Sequence, residues 1–294
     1  MPLRRLNILR HLYWLLRGFK ALIWACPLCQ QALSVEASVA SCPHGHRFDR
    51  ARQGYLNLLP AHHKRSRAPG DDRQMLLQRR EFLQGGHYQP LAAALQGMAT
   101  DFVAQREALT VLDTGCGEGY YLSELQRALE QTGKAMELYG SDISKEAARL
   151  AAAQYKDIRF AVASSFQLPV LTDSVDLVLR IFAPGDVSEV LRVLKPGGQF
   201  WRVVPGPRHL QELKQELYQQ PKLHRIPEVP EGMIEVATRA VKATMSLTSA
   251  QEVAALLQMT PFVWRGSQEG RARLQSMQSL SVTTEFVVQC YDAT

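Results

Sequence analysis

The chain has 294 residues, 46% of them apolar, enough for one large α/β domain plus a small accessory module. Its formal charge of +6 does not by itself indicate a polyanionic partner, because residues 1–25 carry Arg4, Arg5, Arg10, Arg17 and Lys20 with no acid. Five cysteines, an odd number with three close together, do not make a disulfide framework and fit a reducing, cytoplasmic setting.

Residues 1–25 form a basic N-terminal extension. Its apolar stretch from Leu12 to Trp24 is interrupted by Arg17 and Lys20, too short for a bilayer span and without a small-residue cleavage site. No stable membrane insertion is expected. Residues 26–60 hold Cys26-Pro27-Leu28-Cys29 and, twelve residues later, Cys42-Pro43-His44-Gly45-His46. Three thiolates and one imidazole make a closed tetrahedral set, so this segment is expected to be a small zinc-binding module with a structural ion. The fourth ligand is His46 or His44; the longer gap to His46 lets the chain wrap the metal without strain. A segment this short cannot bury enough core alone, and metal ligation supplies its folding energy.

Residues 61–84 are a basic connector. From His44 to Arg80 nine Lys and Arg stand against three acids, and His62-His63-Lys64-Arg65-Ser66-Arg67 is the densest part. With Phe48 and Tyr55 nearby, this region offers phosphate contacts and stacking surfaces for unpaired bases, or is simply a solvated linker.

From residue 85 to 294 short apolar runs alternate with helical patterns. Thr110–Leu112, Met136–Gly140, Ile158–Val162, Val175–Ile181 and Gly198–Val204 are predicted strands, and Tyr121–Gln131, Lys145–Tyr155 and Val187–Val193 predicted helices. Strands separated by helices imply crossovers and an α/β fold with a mostly parallel sheet. Beyond Val204, a helix over 208–220, a strand over 234–244, a helix over 249–258 and a strand over 283–291 follow. The two late strands are expected to pair antiparallel at the sheet edge.

Leu112-Asp113-Thr114-Gly115-Cys116-Gly117-Glu118-Gly119 lies between the first strand and its helix, where a nucleotide-binding turn belongs. The spacing D-x-G-x-G-x-G differs from the dinucleotide fingerprint and suits S-adenosylmethionine, which has no pyrophosphate. Asp113 orients the loop or accepts from the cofactor's ammonium; Gly115 and Gly117 let the cofactor approach the backbone. Asp142, ending the second strand, can accept from both ribose hydroxyls or cap the next helix. Ala163-Ser164-Ser165-Phe166 falls where the adenine would lie. Tyr88, ahead of a helix that precedes the first strand, either covers the methionine end of the cofactor or fills the core. Arg180 to Pro184 and Pro205 to His209 follow the fourth and fifth strands, with Arg180, Phe182 and Arg208 as candidate contacts to a base or phosphate.

In order, Cys-Pro-Leu-Cys, Cys-Pro-x-x-His-x-Phe-Asp, Gly-Tyr-x-Asn-Leu-Leu-Pro, His-Lys-Arg-Ser-Arg, Gly-His-Tyr-Gln-Pro-Leu, Asp-x-Gly-Cys-Gly-Glu-Gly-Tyr-Tyr and Pro-Gly-Pro-Arg-His-Leu run along this chain. Together they resemble the bacterial large-subunit (23S) ribosomal RNA guanine-N1 methyltransferases of the RlmA type. The resemblance implies a class I, Rossmann-like methyltransferase and a zinc site of Cys26, Cys29, Cys42 and His46. It also implies cofactor contacts at Tyr88, Tyr121, Leu122 and His209, a ribosomal RNA hairpin as substrate, and a homodimer. Residues 1–25 depart from the family pattern and inherit no role. No catalytic base is assigned. Two other readings remain: a methyltransferase acting on a small metabolite, and a zinc RNA-binding protein whose methyltransferase fold is vestigial.

Overall fold

A computed structural model describes residues 22–60, 70–260, 262 and 266–294. The expectations placed on residues 1–21 and on His62 to Arg67 lie outside the described residues.

The N-terminal strands β1 (Ser34–Glu36), β2 (Val39–Ser41) and β3 (Arg47–Asp49) form an antiparallel meander. Strand β4 (Leu56–Asn57) leaves it to run parallel to β7 (Arg159–Val162), so the N-terminal segment adds an edge strand to the main sheet. The helices α1 (Arg73–Gln84) and α2 (Gln89–Ala104) come next. Asp72 caps α1 by accepting from the Met75 N–H, and Pro90 starts α2 without losing an intrahelical bond. Residues 73–84, read from sequence as the second half of a connector, are therefore a regular helix.

The alternating units follow: β5 (Ala108–Thr114), α3 (Tyr120–Glu130), β6 (Ala135–Asp142), α4 (Lys145–Gln154), β7, β8 (Val175–Ile181), α5 (Val187–Val193) and β9 (Leu194–Pro205). Beyond them lie α6 (Gln211–Leu217), β10 (Met233–Leu247), α7 (Ala250–Gln258), α8 (Gln268–Ser276) and β11 (Leu280–Ala293). The predicted helix over 208–220 is shorter than expected. Leu210 takes a left-handed backbone (φ 55) and residues 206–210 turn before α6 begins. Helix α8 gave no sequence signal that was recognised.

Among the described residues eight strands form one sheet in the order β10-β11-β9-β8-β5-β6-β7-β4. The pairings from β4 through β9 are parallel; β11 is antiparallel to β9 and β10, as expected for the two late strands. Strand order reverses between β5 and β8, and the crevice beyond their carboxyl ends is where such sheets bind ligands.

Both faces of the sheet are apolar, with successive residues pointing to opposite sides. Val111, Leu138, Phe160, Leu177, Trp201 and Val203 pack under helices α2 to α4 and the C-terminal helices. Leu112, Tyr139, Ala161, Val178, Phe200 and Tyr291 face α5 and the N-terminal module, in one cluster with Trp24, Cys26, Leu33, Cys42 and Leu58. Between β7 and β8 the chain has no helix, and the module covers the face a crossover helix would otherwise occupy. It is held there by backbone bonds from the Ala25 N–H to Pro169 O (2.8 Å) and from the Leu171 N–H to Ile23 O (2.8 Å). Ile23, Trp24 and Ala25, assigned from sequence to the leader, are accordingly buried.

Candidate functional site

The metal-binding residues converge as their spacing predicts. Cys26, Cys29, Cys42 and His46 place their ligand atoms within 4.8 Å of one another. The Cys26 Sγ–His46 Nδ1, Cys42 Sγ–His46 Nδ1 and Cys29 Sγ–Cys42 Sγ separations are 3.5, 3.4 and 3.6 Å. Zinc–ligand bonds of about 2.0–2.3 Å in a tetrahedron require edges of about 3.4–3.8 Å, which these three separations match. His44 is exposed and outside the set, which decides between the two histidines in favour of His46. With three thiolates and an imidazole the sphere is closed, so the ion acts as a structural clasp.

The second site lies at the carboxyl ends of β5 and β6. Gly115 has φ +83, and a Cβ there would sit 2.3 Å from the Ala183 Cβ, so the loops after β5 and β8 meet closely only because residue 115 is glycine. Gly119, φ +87, starts α3 against the ring of Phe160. Asp142 holds the loop: its Oδ2 accepts from the Gly117 N–H (2.9 Å) and its Oδ1 from the Ser144 N–H (2.8 Å). Each oxygen keeps a further lone pair, which suits a pair of ribose hydroxyls.

Three buried carboxyls crowd this loop. Burial, with Asp142 and Glu118 nearby, pushes Asp113 up to about 8; burial also raises Glu118 and Asp142. Asp113 Oδ1, Glu118 Oε1, Ser141 Oγ and the Tyr121 hydroxyl are buried without hydrogen-bond partners among the described residues. Buried polar groups normally find partners. So many orphans around one glycine loop mark a cradle for a polar, positively charged ligand, and S-adenosylmethionine, with its sulfonium and ammonium, has that character. Helix α1 closes over the cradle: Arg79 approaches Gly117 and pairs with Asp71 (2.6 Å), while Asp71 O accepts from the Ser144 hydroxyl (2.9 Å).

Beside the cradle, Tyr88, His209, Phe182 and Phe286 form an aromatic group. The Tyr88 ring lies 6.0 Å from His209 and 4.8 Å from Phe286, and Phe182 stacks on His209 at 6.3 Å. Burial, then His224, holds the His209 imidazole down at about 3, so it is neutral. Its Nδ1 accepts from the Glu285 N–H (3.3 Å), which assigns the ring proton to Nε2 and makes His209 a donor there.

Sequence comparison supplies the family. The family description "RlmA, N-terminal", a zinc ribbon, matches residues 24–67, and a methyltransferase domain matches residues 105–264. A Bacillus subtilis protein named "Putative 23S rRNA (guanine-N(1)-)-methyltransferase YxjB" is 32% identical over 276 residues, covering 90% of this chain and 94% of the relative. The chain belongs to the 23S rRNA (guanine-N1)-methyltransferase family. A Streptomyces fradiae relative, named a 23S rRNA (guanine(748)-N(1))-methyltransferase, is 36% identical over 64% of this chain and 65% of its own length. Among solved structures, a methyltransferase from Thiobacillus denitrificans in complex with S-adenosyl-L-homocysteine is 17% identical over 69% of this chain and 90% of its own, with a TM-score of 0.42. The matched methyltransferase domain, the sheet order and the zinc-ribbon match together make this a class I, S-adenosylmethionine-dependent methyltransferase with a zinc ribbon ahead of its catalytic domain.

Of the cofactor contacts expected from sequence, Asp113, Gly115, Gly117, Tyr121 and Asp142 line or build the cradle, and Tyr88 and His209 meet beside it. Leu122 is fully buried in the core under the sheet. Several other expectations are corrected. Arg180 is buried, donating from Nε to Thr114 Oγ1 (3.3 Å) and from Nη2 to Asp186 O (3.0 Å), and burial lowers it to about 10. Its contacts tie the loop after β8 to β5. Tyr55, expected as a stacking surface, is 4% exposed and belongs to the core. Arg208 and Phe182 remain accessible. Sequence reasoning missed Glu118 and Arg79. Glu118 was visible as an acid inside the glycine loop, but the arginine was absorbed into a count of connector charge.

Proposed function

We propose that this methyltransferase transfers a methyl group to N1 of one guanine in a hairpin of large-subunit (23S) ribosomal RNA. The observation that carries this reading is Phe182. It is 44% exposed at the end of β8, held at φ +55 and stacked on neutral His209, beside the glycine loop. A large side chain in a left-handed backbone is strained, and such strain concentrates at working sites. A flat exposed ring there is a platform for a base turned out of its helix.

Cys26, Cys29, Cys42 and His46 bind the zinc; Tyr88, Asp113, Gly115, Gly117, Tyr121, Asp142 and His209 bind the cofactor, with Asp142 on the ribose, while Leu122 supports α3 from the core. When bound, S-adenosylmethionine supplies an electrophilic methyl on its sulfonium sulfur. The guanine N1 would take that methyl while the C–S bonding pair stays on sulfur, with the N1 proton passing to solvent water. His209, neutral with Nδ1 occupied, is a donor from Nε2 and not the base that removes this proton. The zinc ribbon and the basic segment after it grip the RNA hairpin, with Arg47, Arg50 and Arg52 exposed on that side. We place the enzyme in the cytoplasm, as a homodimer; no helix among the described residues is long and apolar enough to cross a membrane. Division into residues 1–25, 26–60, 61–84 and 85–294 describes roles better than separate folding units.

Incubation with labelled cofactor and unmodified ribosomal RNA tests the reading. Label is expected in 23S RNA and, after digestion, in 1-methylguanosine. Label confined to a small metabolite contradicts it.

A further inference from the structure

Helix α1 carries a second arginine beside Arg79. Arg80 buries its Nε and Nη2 without a hydrogen-bond partner among the described residues. Its neighbour Arg79 differs, being paired with Asp71 at 2.6 Å. Arg80 lies within electrostatic reach of Glu118, which is 2% exposed and has an unpartnered Oε1. No hydrogen bond joins the two. Glu118 in turn acts on Asp113, whose Oδ1 is also unpartnered.

Thus a buried guanidinium without an acceptor lies near two buried carboxyls, each with an unpartnered oxygen. Such an arrangement costs free energy, because the desolvated guanidinium and the buried carboxyl oxygens lack hydrogen-bond partners. A ligand carrying both signs relieves both sides. A guanidinium fork matches a carboxylate, and a pair of carboxyls matches an ammonium. The head group of an α-amino acid carries both, at the separation of one carbon.

We propose that Arg80 binds the α-carboxylate of the cofactor's methionine moiety, while Asp113 and Glu118 receive its ammonium. The inference rests on the cofactor reading of the glycine loop. It makes α1 part of the cofactor site and explains why the helix lies over that loop, with Asp71 bonded to Ser144 at its start.

Calorimetric titration of the full-length, zinc-loaded protein with two ligands tests it. S-adenosylhomocysteine carries the carboxylate and ammonium; 5′-methylthioadenosine has the same adenosine and sulfur but neither charge. The wild-type protein is expected to bind the first more tightly. Arg80→Gln is expected to weaken the first by about 10- to 100-fold, the value of a charge-assisted contact, and to leave the second unchanged. Unchanged affinity for both overturns the proposal. Equal loss of both also overturns it, because that result makes Arg80 a support of the fold. If the wild type binds neither, the cofactor reading itself fails and takes this one with it.

Discussion

Asp113 shows how one residue records its ligand. Its carboxyl ordinarily titrates at 3.8, and burial beside Asp142 and Glu118 pushes it up to about 8 in the folded protein. Between these values the folded state binds more protons than the unfolded one, so stability falls as pH rises through that window. The melting temperature of the cofactor-free protein should therefore drop from pH 5 to pH 8. Asp113→Asn should flatten that drop, stabilising the free protein at pH 8 by roughly 1–3 kcal/mol, while weakening cofactor binding. A thermal melt across pH with both proteins checks the slope; an unchanged slope in the variant contradicts the assignment. Asp113 was legible in sequence because a strand and a helix frame it. Arg80 was not, since its meaning depends on α1 folding back over a loop some forty residues along the chain, which no local pattern records.

At the scale of elements, the parallel strands announced themselves through continuous apolar runs, because a sheet covered on both faces needs Val, Leu, Ile or Phe at nearly every position. Strand β4 did not. Its two residues, Leu56 and Asn57, are too few for a period, and their pairing with Ala161 and Val162 is a tertiary event. Leu56 is 3% exposed and packs in the cluster shared by the zinc ribbon and the sheet. Leu56→Ala should cost about 2–4 kcal/mol, read from a denaturant midpoint, as for other core truncations. A cost near zero would mean that β4 is a loose attachment. Helix α6 marks the opposite error: propensity extended it into residues 208–210, where Pro207 and the left-handed Leu210 impose a turn that places His209 instead.

For the whole molecule, the zinc spacing revealed a metal site but not its consequence for the fold. Cys26 and Cys42 share one apolar cluster with Tyr139, Val178 and Phe200, and the Trp24 ring meets Tyr139 edge-on at 5.4 Å. The ion therefore organises one covering layer of the catalytic sheet, not a tethered appendage. Removing zinc with a chelator, or Cys42→Ser, should lower the main unfolding transition of the entire protein, since metal-binding free energy in such sites is folding free energy. A calorimetric scan in which that transition stays in place and only a small separate one vanishes would show the ribbon to be independent.

This zinc-clasped fold aims a methyl group at one guanine N1. Primer extension along 23S RNA tests it most directly, because a methyl on N1 blocks pairing and halts the polymerase. One new stop is expected, at a guanine in a hairpin, that requires both the protein and S-adenosylmethionine. Full-length extension despite methyl transfer, or a stop that needs no cofactor, would contradict it.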